Sequence, residues 1–251
     1  MEPTDLVPDY QQDDTIKLDI TESHHDTISS TETVTAHVAQ VITATMSPVM
    51  LVKLKPTSPH APNRAILKLY DRGDRRTELL PNSAADWRLE PGGQAKFEAA
   101  LWWEARSHFE AEVDAYKRLK ELQGVFIPRM YASVRLSSSS ASVDMSEYYS
   151  VNGILLQFIS GWSLDSCPRK VVVDADSHQP FIIDLAQCYF KDQLFKVWEH
   201  FGFGEGQEDW TPEAKWCESV RCRDNPGSMG LPMQSKLRRV KGFLIDVKYP
   251  E

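Results

Sequence analysis

The order of β-like and helical segments is the feature that most constrains how this chain can fold. Residues that favour strands are concentrated in short runs, and one long segment separates an early group of runs from a later group. The early runs cover residues 33–45, 49–54 and 64–71, and the later runs cover residues 125–134 and 148–159. Over residues 94–123, apolar side chains recur three or four positions apart, which predicts a helix with one apolar face. The apolar face of this predicted helix consists of Phe109, Val113, Tyr116 and Leu119.

Turn signals divide the rest of the chain. Asn152-Gly153 is typical of a tight turn between two short strands. Two apolar runs, residues 171–173 and 181–183, flank a polar segment that is rich in turn-forming residues, and this pattern predicts a β-hairpin with a longer loop. Beyond it, apolar residues recur at helical spacing over residues 190–201, so we expect helices to follow the hairpin.

The charge of the chain is unevenly distributed. The net charge is −8, and residues 1–50 alone, with nine acids and one base, account for it. Residues 1–32 are polar and acidic, and we predict that they form a disordered leader. Residues 51–251 contain equal numbers of acids and bases, so the sequence offers no basic field for nucleic acid.

The sequence contains no targeting or membrane signal. No apolar stretch approaches the roughly 20 residues of a membrane span, and no basic segment with an apolar run opens the chain, so we expect neither a membrane partner nor a signal peptide. Four cysteines in 251 residues do not form a disulfide framework and fit a reducing compartment. We therefore expect a cytoplasmic protein, with the nucleus as the alternative.

Four charged side chains are candidates for chemistry. Asp165 precedes the hairpin and Asp184 follows its second strand, so they are either ordinary turn and cap residues or groups that serve a metal and a reacting hydroxyl. Lys68 interrupts an apolar run, where it either snorkels from a strand edge or points into a cleft. Glu112 lies beside the apolar face of the long helix, where it is either solvated or functional.

This order of segments, with these residues, resembles the protein-kinase-like fold and is most similar to divergent fungal protein-kinase-like proteins. The resemblance extends over residues 33–249. The stretch Ala65-Ile66-Leu67-Lys68 is similar to the lysine motif of the third strand, and Asp184-Leu185-Ala186 stands in the place of the metal-binding DFG triplet. The resemblance implies an α+β fold: residues 33–159 form an antiparallel β N-lobe with helix C, and residues 160–251 form a truncated, mostly helical C-lobe.

The resemblance also implies roles for individual residues. Lys68 would bind phosphate oxygens of ATP, and Glu112 would orient it. Residues of the hinge would hydrogen-bond adenine. These are Gln157, Phe158 and Ile159. Asp165 would act on the proton of the attacking hydroxyl, and Asp184 would hold Mg²⁺. ATP and Mg²⁺ are therefore the implied cofactors.

The sequence departs from the kinase pattern at four points. Lys170 stands where the family has a metal-binding Asn, and Ser163-Leu164 replaces the His-Arg before the catalytic Asp. Residues 38–50 lack the glycines of a phosphate-covering loop. Residues 160–164 replace two helices between hinge and catalytic loop. An ammonium repels Mg²⁺ where an amide oxygen would bind it.

These departures predict ATP binding with impaired or absent phosphotransfer, as in a pseudokinase. The alternatives are an active protein kinase that phosphorylates Ser or Thr hydroxyls, and an interaction protein that binds no nucleotide. Loss of the two helices would leave an apolar face of the C-lobe bare, and the sequence therefore predicts a protein partner that covers it.

Overall fold

The computed structural model describes residues 10–24, 28, 33–43, 47–55, 62–71, 91–136, 150–163, 171–204, 206, 209–223, 238–239 and 242. The chain divides into two compact units. The first contains Met1–Ser160 and Asp184–Gln187, and the second contains Gly161–Ile183 and Cys188–Glu251. The segment Asp184–Gln187 thus returns to the first unit after the chain has entered the second.

Six antiparallel strands of the first unit form a closed barrel. In chain order they are β1 (Thr15–Ser23), β2 (Thr33–Thr43), β3 (Val49–Leu54), β4 (Arg64–Tyr70), β5 (Met130–Leu136) and β6 (Val151–Gln157). Their order around the barrel is β1-β2-β3-β4-β6-β5. Strand β1 closes it, because its residues pair with β2 on one side and with β5 on the other.

Alternation along the strands fills the barrel with small and branched side chains. Every second residue of a strand faces the same side, and the inward positions of neighbouring strands meet in one core. The core residues from β1 to β4 are Ile16, Leu18, Ile20, Val34, Ala36, Val38, Met50, Val52, Leu54, Ala65, Leu67 and Leu69. Ala132, Val134 and Leu155 complete this layer from β5 and β6.

Helix α1 (Gly93–Arg118) packs on the outside of the barrel, against β4 and β6. It begins after Gly92, whose φ of 75° is readily adopted by glycine. Its buried side chains include Phe97, Leu101, Val113 and Tyr116. The predicted apolar face is confirmed for Val113 and Tyr116, whereas Phe109 is half-buried and Leu119 follows the end of the helix. The outward-facing Lys68 and Tyr70 of β4 are buried, whereas Arg64 at the start of the strand is exposed.

The second unit contains a small sheet and two helices in its described part. Strands β7 (Gly161–Ser163), β8 (Val171–Asp174) and β9 (Pro180–Ile182) pair antiparallel in that order. The β8–β9 pair confirms the predicted hairpin. Its loop is organised by Asp174, whose Oδ1 accepts hydrogen bonds from Ser177 N at 2.8 Å and Ser177 Oγ at 2.7 Å.

An aromatic cluster of this unit lies on the first of its two helices and just before the second. The helices are α2 (Lys191–His200) and α3 (Pro212–Arg223). The Trp198 ring lies 5.7 Å from Phe195 and 6.1 Å from Trp210, measured between centroids. No helix in the described part of the chain is both long enough and apolar enough to cross a membrane.

The prediction of a protein-kinase-like fold is wrong. The described residues form a closed six-stranded barrel, a three-stranded sheet and three α-helices, in place of an open N-lobe sheet with helix C and a mostly helical C-lobe. The sheet is a closed barrel rather than an open N-lobe sheet because of strand β1. Without it the first unit would hold five strands and two free edges, whereas β1 pairs with both edges and leaves none.

The predicted disordered leader of residues 1–32 is wrong for Thr15–Ser23, which form β1. Polar residues (Thr15, Lys17, Asp19 and Thr21) alternate with the buried Ile16, Leu18 and Ile20, which gives this strand one exposed polar face and one buried apolar face. The prediction of disorder rested on the acidic, polar composition of the segment and overlooked the alternation of polar and apolar residues in it. Tyr10 lies just before the strand, and its hydroxyl donates to Asp71 Oδ2 at 3.1 Å. This bond joins the segment before β1 to the end of β4.

The predicted turn at Asn152-Gly153 is also wrong, because β6 runs through both residues. The glycine serves close packing instead. A Cβ on Gly153 would lie 2.6 Å from Leu69 Cδ2 and 2.8 Å from the backbone oxygen of Lys68. Strands β4 and β6 therefore approach each other here at a distance that a side chain would not allow.

We expect Gly153→Ala to lower the free energy of unfolding by about 1–3 kcal/mol, because overpacking displaces its neighbours. Urea unfolding followed by circular dichroism measures the change. Thr43→Ala, at an exposed strand position, is the control and is expected to stay within about 0.5 kcal/mol. An unchanged midpoint for Gly153→Ala would contradict the close packing of β4 on β6.

Candidate functional site

Lys68 lies in the middle of β4, on the face that points away from the barrel core. Its neighbours Leu67 and Leu69 point into that core, so strand alternation turns Lys68 toward helix α1. The side chain is only 7% exposed. Its Nζ lies 2.6 Å from Glu112 Oε2 and 2.6 Å from Asp184 Oδ1. Lys68 is therefore a buried cation between two carboxylates.

Glu112 is fully buried on the inner face of α1 and accepts three hydrogen bonds. Its Oε2 accepts from Lys68 Nζ and from the hydroxyl of Tyr70. Its Oε1 accepts from the backbone N–H of Leu185 at 3.1 Å. A buried carboxylate is tolerated only when it is paired and hydrogen-bonded. The Lys68 cation and the two neutral donors meet that requirement.

Tyr70 follows Lys68 by two residues and shares its face of β4. Its ring centroid lies 5.5 Å from that of Phe109 on α1, in an edge-to-face contact. Lys68 Nζ lies 5.4 Å from the centroid of the Tyr70 ring. Burial, together with the charge of Glu112, raises the pKa of Tyr70 well above its ordinary value. Tyr70 is therefore a neutral donor at any physiological pH.

Asp184 supplies the solvent-accessible side of the cluster. Its side chain is 43% exposed, whereas those of Lys68 and Glu112 are buried. Its backbone has a φ of 64°, a left-handed conformation that aspartate adopts more readily than most residues. With this backbone, the Asp184 carboxylate reaches Lys68 and the next N–H reaches Glu112. Leu185 anchors the segment, because only 4% of its surface is exposed.

The electrostatic balance keeps Lys68 charged. Burial alone would lower its pKa, but the nearby Glu112 and Asp184 carboxylates outweigh burial, and the pKa of Lys68 lies above its ordinary value. With one ammonium and two carboxylates, the group carries a formal charge of −1. An added cation next to Asp184 would offset this charge.

The structure brings together three of the residues that the sequence singled out: Lys68, Glu112 and Asp184. Tyr70 is a fourth member that the sequence analysis missed. The signal for it was its spacing, since position i+2 of a strand shares the face of position i. Asp165 and Lys170 lie outside the described residues.

The predicted hinge residues lie at the end of β6 and just beyond it. Gln157 pairs with Ala65, three residues before Lys68 on β4, which corresponds to about 10 Å along the strand. The side-chain oxygen of Gln157 accepts from Arg129 N at 3.1 Å. The Phe158 ring centroid lies 4.3 Å from the Arg64 guanidinium carbon, in a cation–π contact. Ile159 is half-buried.

The function of the site is not indicated by a metal-binding group in the described residues or by a similar protein. Within the described residues, no group of three or more His, Cys, Asp or Glu side chains is placed to hold a metal ion. Comparison of the chain with protein-family models, curated proteins and solved structures found no significant match. The interpretation of the cluster therefore depends on its own geometry and charge.

We expect Glu112→Ala to destabilise the protein by about 3–5 kcal/mol, because the change leaves Lys68 with one partner and strips the buried Tyr70 hydroxyl of its acceptor. Glu110→Ala on the same helix is the matched control. Its carboxylate is 59% exposed and pairs with Arg106, so we expect a change below about 1 kcal/mol. Urea unfolding at pH 7 measures both, and similar losses for the two variants would contradict the buried cluster.

We expect stability to fall steeply with pH above about 10.5, the ordinary pKa of lysine. The folded state raises the pKa of Lys68, so its contribution is complete below the unfolded value and is lost as the pH rises through the folded value. Urea midpoints measured from pH 8 to pH 12 test this expectation. Lys68→Met should reduce the fall, and an equal fall in both proteins would exclude Lys68 as its source.

Proposed function

We propose that the chain binds ATP with Mg²⁺ at Lys68, Glu112 and Asp184, and that its phosphotransfer to protein substrates is impaired or absent. The observation that carries the proposal is the pairing of the buried Lys68 with two unequal carboxylates, one fully buried and one 43% exposed. In this arrangement Glu112 holds the Lys68 ammonium at a fixed place, and the Asp184 carboxylate stays accessible to solvent.

Lys68 supplies the positive charge that triphosphate oxygens require. Its pKa above the ordinary value keeps the ammonium charged at physiological pH. Glu112 holds the ammonium from the side of α1, at 2.6 Å. An ammonium has three donors, and the contacts to Glu112 and Asp184 use two of them. Lys68 can therefore contact a phosphate oxygen while Glu112 keeps its orientation.

Asp184 would hold the Mg²⁺ that accompanies the nucleotide. Mg²⁺ usually takes one or two protein carboxylates, with substrate phosphates and water completing its shell. The partly exposed Asp184 carboxylate fits this requirement, and the formal charge of −1 on the cluster favours a cation beside it. When bound, the ion would neutralise phosphate charge.

The adenine would lie against Gln157, Phe158 and Ile159. This placement follows the resemblance to kinase hinges. Gln157 pairs with Ala65, on the strand that carries Lys68. The separation of about 10 Å along β4 suits a base at one end and phosphates at the other.

Impaired transfer is proposed on the sequence around Asp165. Asp165 would act on the proton of the attacking hydroxyl. In the sequence, Lys170 stands at the position where the kinase pattern has a metal-binding Asn, and an ammonium repels a metal cation. Positive charge there would weaken a second metal contact and slow the reaction without preventing binding at Lys68.

A second candidate is an interaction protein that binds no nucleotide. Two observations favour it. Lys68 is already satisfied by two carboxylates, as in a structural ion pair. The described part of the second unit also exposes large aromatic side chains: Phe201 is 68% exposed and Phe203 is 56% exposed. Surfaces of this kind serve protein partners.

The proposal predicts that Mg-ATP raises the melting temperature of the protein and that ATP with EDTA raises it less. Lys68→Ala should abolish the shift, because the phosphates lose their cation. Asp184→Asn should remove the difference between Mg²⁺ and EDTA, because the metal loses its carboxylate. Lys53→Ala, an exposed lysine on β3, is the matched control and should behave as wild type.

No shift of the wild type by ATP, with or without Mg²⁺, would exclude nucleotide binding and support the interaction protein. Radiolabelled ATP tests the transfer step with a general protein substrate. We expect no transfer above the level of Asp165→Asn. Transfer by the wild type that this variant abolishes would establish the active kinase instead.

A further inference from the structure

The hydroxyl of Tyr70 shares the Oε2 atom of Glu112 with Lys68. We propose that Tyr70 is a positioning residue that holds Glu112 in place when Lys68 engages a phosphate, and that it thereby sets the affinity of the site for ATP. The inference rests on the proposed function of the cluster. It adds a residue that neither the kinase pattern nor the sequence analysis placed there.

Glu112 needs at least one hydrogen bond that is kept when a ligand binds. The carboxylate is fully buried, so water is not at hand to replace a hydrogen bond that it loses. When phosphate attracts the Lys68 ammonium, the contact between Lys68 and Glu112 lengthens or weakens. The remaining donors must then keep the carboxylate charged and oriented.

Two of the three donors to Glu112 would be displaced by the ligand. Lys68 moves toward phosphate. The Leu185 N–H follows directly on Asp184, whose left-handed backbone, with a φ of 64°, sets its position. A shift of Asp184 toward a cation therefore also disturbs the hydrogen bond from Leu185.

Tyr70 is independent of both. It belongs to β4, a barrel strand paired on both sides, and only 3% of its surface is exposed. Phe109 braces its ring at a centroid distance of 5.5 Å. Burial and the Glu112 charge raise its pKa well above the ordinary value, so the hydroxyl keeps its proton. Its donor therefore stays in place while Lys68 and Asp184 respond to a ligand.

Tyr70→Phe tests the inference, because it removes the hydroxyl and keeps the ring that contacts Phe109 and Lys68. We expect the Kd for Mg-ATP, measured by isothermal titration calorimetry, to rise about tenfold. The control is Tyr131→Phe, which removes a half-buried hydroxyl from strand β5 of the same barrel. It should leave the Kd unchanged.

A double-mutant cycle separates positioning from a general loss of structure. In a Glu112→Gln background, Tyr70→Phe should cause no further rise in Kd, because the charged acceptor has gone. If Glu112→Gln does not fold by circular dichroism, Glu112→Asp provides the background, since its shorter side chain withdraws the carboxylate from the hydroxyl. An equal rise in Kd in both backgrounds would overturn the inference.

The remaining outcomes are distinct. A wild type that binds Mg-ATP with an unchanged Kd in Tyr70→Phe overturns the role of Tyr70 and leaves the proposed function intact. A wild type that binds no Mg-ATP overturns the proposed function, and the role in affinity falls with it. In that case a urea-unfolding cycle on the ligand-free variants measures the coupling of Tyr70 to Glu112, and coupling there assigns the contact to stability alone.

Discussion

The buried carboxylate of Glu112 is the interaction on which the arrangement of the first unit depends. A carboxylate with no solvent exposure needs hydrogen-bond donors from the protein. Its donors come from separate parts of the chain: Lys68 and Tyr70 from β4, and Leu185 from the segment Asp184–Gln187. Glu112 thus joins helix α1 to the barrel and to a segment more than 70 residues later. Loss of one contact would leave an unpaired polar group, so the contacts support one another.

Local pattern was enough to predict much of the first unit. Runs of strand-favouring residues located β2, β3 and β4, and helical spacing of apolar residues located α1. The closure of the barrel had no such signal. It depends on the pairing of β1 with β5, between residues more than 100 positions apart, and on a strand whose outer face is polar. Composition alone assigned that strand to a disordered leader.

Three of the candidate site residues lie together although the fold around them differs from the predicted one, and their roles stay predictions. Lys68, Glu112 and Asp184 were chosen by their order in a kinase-like pattern, and they meet in a closed barrel unit that is not kinase-like. This outcome is physically reasonable, because a site needs side chains at suitable distances, and different folds supply them. Tyr70 was missed for a related reason. An aromatic residue in an apolar run predicts core packing, and nothing in the sequence indicates that its hydroxyl meets a buried carboxylate.

Stability alone is an incomplete account of the cluster. Apolar residues of similar volume often stabilise a core as well as a buried ion pair does, or better, yet this chain places a lysine and a glutamate under α1. Asp184 adds a further cost, since its left-handed backbone, with a φ of 64°, is unfavourable for a residue with a Cβ. Backbone conformations of this kind are concentrated at binding sites, where the surrounding structure maintains them. Glu112 and Lys68 form the fixed, buried part of the cluster, and Asp184 is the member that solvent reaches. The proposed nucleotide, which carries both phosphate and a cation, would engage the cluster from that side, because Asp184 is the carboxylate that solvent reaches and Glu112 is not.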